Sequence, residues 1–132
     1  MSTPFTLIGR VLLGLFVAAH GLIFLRAALD PQMLAGLSGY VTSRGVPQPQ
    51  LVVYAIIAFE ILAGLALVFG IMVVPVSIVL ALWCFATAGV MHNFWALPPA
   101  QFSSEVAHFL KNIGLGGAFL LLAGDRMRAH VA

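Results

Sequence analysis

Four stretches of this chain are apolar for about as long as a helix needs to cross a bilayer, and that decides the fold class. They cover roughly residues 5–29, 50–70, 72–92 and 104–124, each close to the ~20 residues that span a hydrocarbon core. Backbone N–H and C=O groups in lipid must bond within their own segment, so each stretch reads as a helix. Strands of a membrane barrel would alternate over about ten residues, and these runs do not. The expectation is an all-α polytopic membrane protein, a four-transmembrane-helix bundle with a short amphipathic helix between spans one and two.

Composition agrees and narrows the partners. The 132 residues suit one domain, so residues 1–132 are expected to form a single membrane domain. Hydrophobic residues make up 62% of the chain and charged ones 8%, against roughly 25% charged in a soluble domain. A water-soluble fold of this size could not hide so much apolar surface, so the lipid bilayer is the first partner. The net charge is +2 with no basic run, which argues against nucleic acid. The lone Cys84 excludes an intrachain disulfide or a CxxC motif and reads as a small buried hydrophobe. The first apolar stretch has no basic residue before Arg10 and exceeds a leader's apolar core, so it is expected to be a retained anchor.

The connections have their own signals. Asp30-Pro31 can cap and open a short helix, Met33, Leu34, Leu37, Tyr40 and Val41 fall on one side of it, and Gly45 can end it. The expectation is an interfacial helix, followed by an extended connector from Gly45 to Pro49. Gly70-Ile71-Met72 is short enough for a tight antiparallel hairpin, with Pro75 in the first turn of span three. Trp95 in the third connection suits an interface anchor, and Ser103 with Glu105 suits the start of span four. Arg126 and Arg128 draw both termini to the cytoplasm, against a weaker pull from Arg26 and Arg44.

Ionisable residues inside spans are costly and usually face a bundle interior or a watery cavity. This chain has Arg10, His20, Glu60, His108 and Lys111 there, with Asn112 beside them and His92 and Arg26 nearer the ends. Counting helical rise from the side of the termini orders them Arg10, Glu60, Lys111, then His20 and His108 together, then His92. Glu60 thus falls between two cations in depth. The faces can converge: Arg10, Gly14, Val17 and Gly21 with His20 on the flank; Glu60 with Gly64; Ala81, Phe85, Ala88 and His92; His108, Lys111, Asn112 and Leu115. A purely structural ion network would account for these residues, with glycines allowing close helix approach. A stability role alone does not require buried charge, which favours a site for a polar or quinone-like ligand, or a proton path.

Sharper chemistries find less support. Glu105 and His108 are spaced as E-x-x-H, half of a di-iron bundle site, but a second such pair is missing and no metal is expected. His20 and His108 at one level are weak grounds for haem. No P-loop, GxSxG, HExxH or Cys/His triad is present.

Taken in order, Gly9-Arg10-Val11-Leu12-Leu13-Gly14, Phe59-Glu60-Ile61-Leu62-Ala63-Gly64 with Gly70, then His92, and His108-Phe109-Leu110-Lys111-Asn112-Ile113 before Gly116-Gly117 resemble the DoxX family of small bacterial membrane proteins over nearly the whole chain. Two departures stand out: Ile23 and Phe24 where members often carry lysine, and Met72-Val73 where a basic residue is usual. The resemblance implies a bacterial inner membrane location and a quinone- or quinol-interacting subunit that assists electron transfer with a partner oxidoreductase. Glu60 and Lys111 would handle protons or hydrogen-bond a carbonyl, with His108 or His20 as relay, and Arg10, His92 and Asn112 would complete the ligand site. The alternatives are an accessory subunit of a larger respiratory complex, for which Gly114 to Gly117 offers a surface, and a small transporter or ion-conducting homo-oligomer.

Overall fold

The computed structural model describes residues 4–131, with side chains through Arg128. The chain runs through α1 (Pro4–Ala28), α2 (Pro31–Ser43), α3 (Pro49–Phe69), α4 (Val73–Met91), two single 3₁₀ turns (Phe94–Ala96 and Pro99–Gln101) and α5 (Phe102–Val131). Among the described residues, four helices are long and apolar enough to cross a membrane: α1, α3, α4 with the turn after it, and α5. The four long helices begin and end within a residue or two of the apolar stretches, except that α5 continues seven residues beyond the last of them. Its last turns carry Asp125, Arg126 and Arg128, which a helix can hold at the edge of the lipid.

Contacts gather the chain into two compact units. The first, Leu7–Ile71, holds α2, α3 and nearly all of α1. Within it α1 and α3 approach backbone to backbone. A Cβ on Gly64 would run into the Ala18 backbone and stand 2.7 Å from the Gly14 carbonyl oxygen, and one on Gly14 would stand 2.7 Å from the Gly64 carbonyl oxygen. Such small-residue contacts let dispersion hold helices together where lipid leaves little hydrophobic drive. α3 stops at Gly70, whose φ of +76° a residue without Cβ adopts freely. Gly70 N–H bonds to the Leu67 carbonyl at 3.2 Å and Ile71 N–H to that of Ala66 at 2.8 Å, the double closure typical of a glycine-ended helix.

The amphipathic helix forms as expected. Asp30 Oδ1 accepts from the N–H groups of Gln32 at 2.8 Å and Met33 at 3.1 Å, Pro31 takes the first helical position, and Gly45 closes the end on the Thr42 carbonyl. Its packed face differs from the expected one. α2 lies on α3 through Leu34, Leu37, Ser38 and Val41, while Met33 and Tyr40 are exposed. A continuous 3.6-residue stripe selects Ser38 as the residue one turn past Leu34, and its hydroxyl is small enough to sit at the contact. Tyr40 instead lies under the Arg44 guanidinium, 4.8 Å from its ring centre.

The second unit begins at Met72 and holds α4 and α5, which pack along each other. Phe85 fills the space beside Gly116 where a Cβ would stand. Pro75 falls in the first turn of α4 as anticipated, where its missing N–H leaves no bond unmade. At the α4–α5 connection Phe94, Trp95, Phe102 and Phe109 meet edge to face, with ring centres 5.1 to 5.9 Å apart, and Trp95 is 62% exposed. That combination of a packed cluster and an exposed indole fits the interfacial anchor read from the sequence.

Candidate functional site

Among the described residues, each unit carries one histidine–carboxylate pair. In the first, His20 Nδ1 lies 2.7 Å from Glu60 Oε2. Gly21, next to His20 on α1, stands against Ile61 and the Cβ of Glu60, so the absence of a side chain there brings the two helices close enough for the bond. Glu60 is buried, 6% exposed, while the His20 side chain keeps 41% of its surface. Phe16, His20 and Phe24 recur every fourth residue, and the imidazole lies between the two phenyl rings, 6.4 and 4.6 Å from their centres. A carboxylate held on Nδ1 fixes the ring's orientation and governs which proton state the other nitrogen presents.

Arg10 does something else. Its guanidinium donates to the carbonyl oxygens of Leu67 and Val68 in the last turn of α3, and lies where a Cβ on Gly70 would stand. A cation at a helix C-terminus is favourable by charge and by hydrogen bonding. These carbonyls lie two turns beyond Glu60, about 10 Å along α3. The depth ordering had put Arg10 in reach of Glu60; the structure gives Arg10 to the end of α3 and Glu60 to His20.

In the second unit, His92 at the end of α4 places Nδ1 2.8 Å from Glu105 Oε2 in the first turn of α5. Glu105 suits its place, since a carboxylate is favoured at a helix N-terminus. The His92 ring stacks on that of His108 with centres 5.1 Å apart. Lys111 Nζ lies 3.3 Å from His108 Nδ1, one helical turn further along α5. Asn112 is buried and donates its amide to the His108 carbonyl at 3.0 Å. Among the described residues, no three or more His, Cys, Asp and Glu side chains gather as a metal ion would require.

Apart from Arg10, the predicted residues fall into two groups: His20 with Glu60, and His92 with His108, Lys111 and Asn112. Glu105 is the member the site reading missed, though its E-x-x-H spacing to His108 was visible. The signal that could have found it is its position in a first helical turn, a short connection after a histidine that ends the preceding helix.

A family model described as DoxX matches residues 5–93. The chain belongs to the DoxX family. The inner membrane protein YphA of Escherichia coli (strain K12) is 30% identical over 95 residues, covering 70% of this chain and 68% of that protein. No solved structure matches. With its four spanning helices this DoxX protein is a multi-pass integral protein of the inner membrane. The match contains His20 and Glu60 and ends just past His92, so Glu105, His108, Lys111 and Asn112 lie on the helix outside it.

Proposed function

We propose that this DoxX protein interacts with quinone or quinol in the membrane and assists electron transfer with a partner oxidoreductase. The observation that supports this most is the His20–Glu60 pair: a carboxylate buried between α1 and α3, an imidazole bonded to it through Nδ1, and a flanking phenyl ring on either side of that imidazole. With Glu60 accepting from Nδ1, Nε2 would accept the hydroxyl proton of a quinol. The imidazolium so formed would be stabilised by the carboxylate, with one electron leaving to the partner's redox group for each proton taken; after releasing the first proton at its exposed side, the imidazole would take the second. In the opposite direction the imidazolium would give one proton to a quinone oxygen with each of the two electrons the partner delivers, taking up a proton in between. The phenyl rings offer a flat apolar surface of the kind on which a quinone ring stacks.

The test is titration of a short-chain ubiquinone into the purified full chain in detergent. Wild-type protein is expected to bind it, and Glu60→Gln and His20→Gln to weaken binding at least about tenfold, or 1.4 kcal/mol. Equal affinity in both variants, or no binding by the wild type, would overturn the assignment.

A further inference from the structure

We infer that the exposed face of α5 packs against the same face of a second copy of this chain, antiparallel to it, so that Lys111 of each copy meets the partner's Asp125. Lys111, Gly114, Ala118, Leu121 and Asp125 follow at intervals of three, four, three and four residues, which keeps them on one stripe of the helix. Lys111 is exposed, with the His108 ring beside it, and Leu121 is 75% exposed. Asp125 has Oδ2 enclosed without a hydrogen-bond partner. Among the described residues neither charge meets an opposite one. Charged side chains within a span are costly and pair with one another. These two cannot pair on their own helix, where they stand about 21 Å apart.

A two-fold axis beside Ala118 brings them together. Ala118 lies near the middle of α5 (Phe102–Val131), with Lys111 and Asp125 each seven residues away, or about 10 Å. Antiparallel copies therefore set Lys111 against the partner's Asp125 twice, once at each end of a self-complementary contact. Parallel copies would set lysine beside lysine and aspartate beside aspartate at equal depth, which like charges oppose. The apolar middle fits the same axis. A Cβ on Gly114 or Gly117 would meet nothing within 4 Å, and the partner's Leu121 falls at a depth between those two glycines, as a knob enters a hole. Arg128 stands about 15 Å from Ala118, at the edge of the ~30 Å core, where water meets it. The insertion signal permits the arrangement. Four crossings return the chain to its starting side, which carries Arg126 and Arg128, while the opposite side carries Arg26 and Arg44. Arg10 and Lys111 lie within spans. Two against two leaves no direction to the lysine and arginine bias that sets orientation, so copies can insert both ways up.

This proposal does not depend on the quinone reading. Its first test is sedimentation of the purified full chain in detergent, where wild-type protein is expected to be a dimer. Lys111→Asp or Asp125→Lys alone sets like charges opposite each other and should weaken association at least about tenfold. The double reversal, Lys111→Asp with Asp125→Lys, restores both pairs in the antiparallel contact and should regain the dimer, which also controls for folding. A monomeric wild type, undiminished association in either single variant, or a monomeric double reversal would overturn the proposal. The second test reads orientation in the membrane. With Gln32→Cys, exposed on α2, in a Cys84→Ala background, a membrane-impermeant maleimide added outside right-side-out vesicles should label about half of the chains. Labelling of all chains, or of none, would overturn the antiparallel arrangement.

Discussion

The two histidine–carboxylate pairs use the same atoms, Nδ1 to Oε2, at 2.7 and 2.8 Å, yet they rest on different foundations. His20 and Glu60 are forty residues apart and meet because glycines let α1 and α3 touch along their backbones. His92 and Glu105 are thirteen residues apart and meet because a short connection turns one helix end toward the next helix start. The first pair depends on packing along the length of two spans. The second depends on local chain geometry and on helix-end electrostatics. The same bond can thus be a consequence of tertiary structure in one place and of sequence proximity in another.

The largest expected effect tests the packing half of that contrast. Gly64→Leu puts a side chain into the Ala18 and Gly14 backbone, and thermal unfolding in detergent should show a loss on the order of 3 kcal/mol. The His92–Glu105 pair should survive it, as read by its imidazole resonances. Next come the pairs themselves. His20→Leu leaves the buried Glu60 carboxyl without its bond and should cost about 2 kcal/mol, while His92→Leu should cost about 1 kcal/mol or less. Equal costs would erase the distinction between the two. A functional arm sharpens it: Glu60→Gln should weaken short-chain ubiquinone binding about tenfold, or 1.4 kcal/mol, and Glu105→Gln should leave it unchanged. The smallest effect concerns the connection alone. Asp30→Ala removes the cap of α2 and should lower stability by about 1 kcal/mol without altering either pair.

Much of this architecture was legible because lipid simplifies the rules. Span length and apolarity located four helices to within a residue or two at most ends, and Asp30-Pro31 and Gly45 marked α2 correctly because capping chemistry is local. The faces of α1 and α3 were also readable, since the small residues at Gly14, Gly21 and Gly64 share the stripes that carry Arg10 and Glu60. Partnership was harder to read. Depth alone could bring Arg10 near Glu60, but it could not weigh that ion pair against the carbonyls that every helix end leaves open. Nor could it weigh the rotation of α2 that puts Ser38 inward and Tyr40 outward, because a one-residue turn of a short helix depends on the surface beneath it. Glu105 was read as a helix start and is one; that the same carboxylate also holds His92 follows from the length of the connection rather than from any motif.

The spacing of the two pairs along the chain also bears on biogenesis. Both partners of the first pair lie before Ile71, so ribosome and membrane have already received them while α5 is still being made. Chains are synthesised at about 5–20 residues per second and fold from the N-terminal end as units emerge. The His20–Glu60 contact can therefore close seconds before Glu105 exists, leaving His92 without its carboxylate in the interval. A nascent chain arrested shortly after residue 92 would hold one finished pair and one waiting histidine.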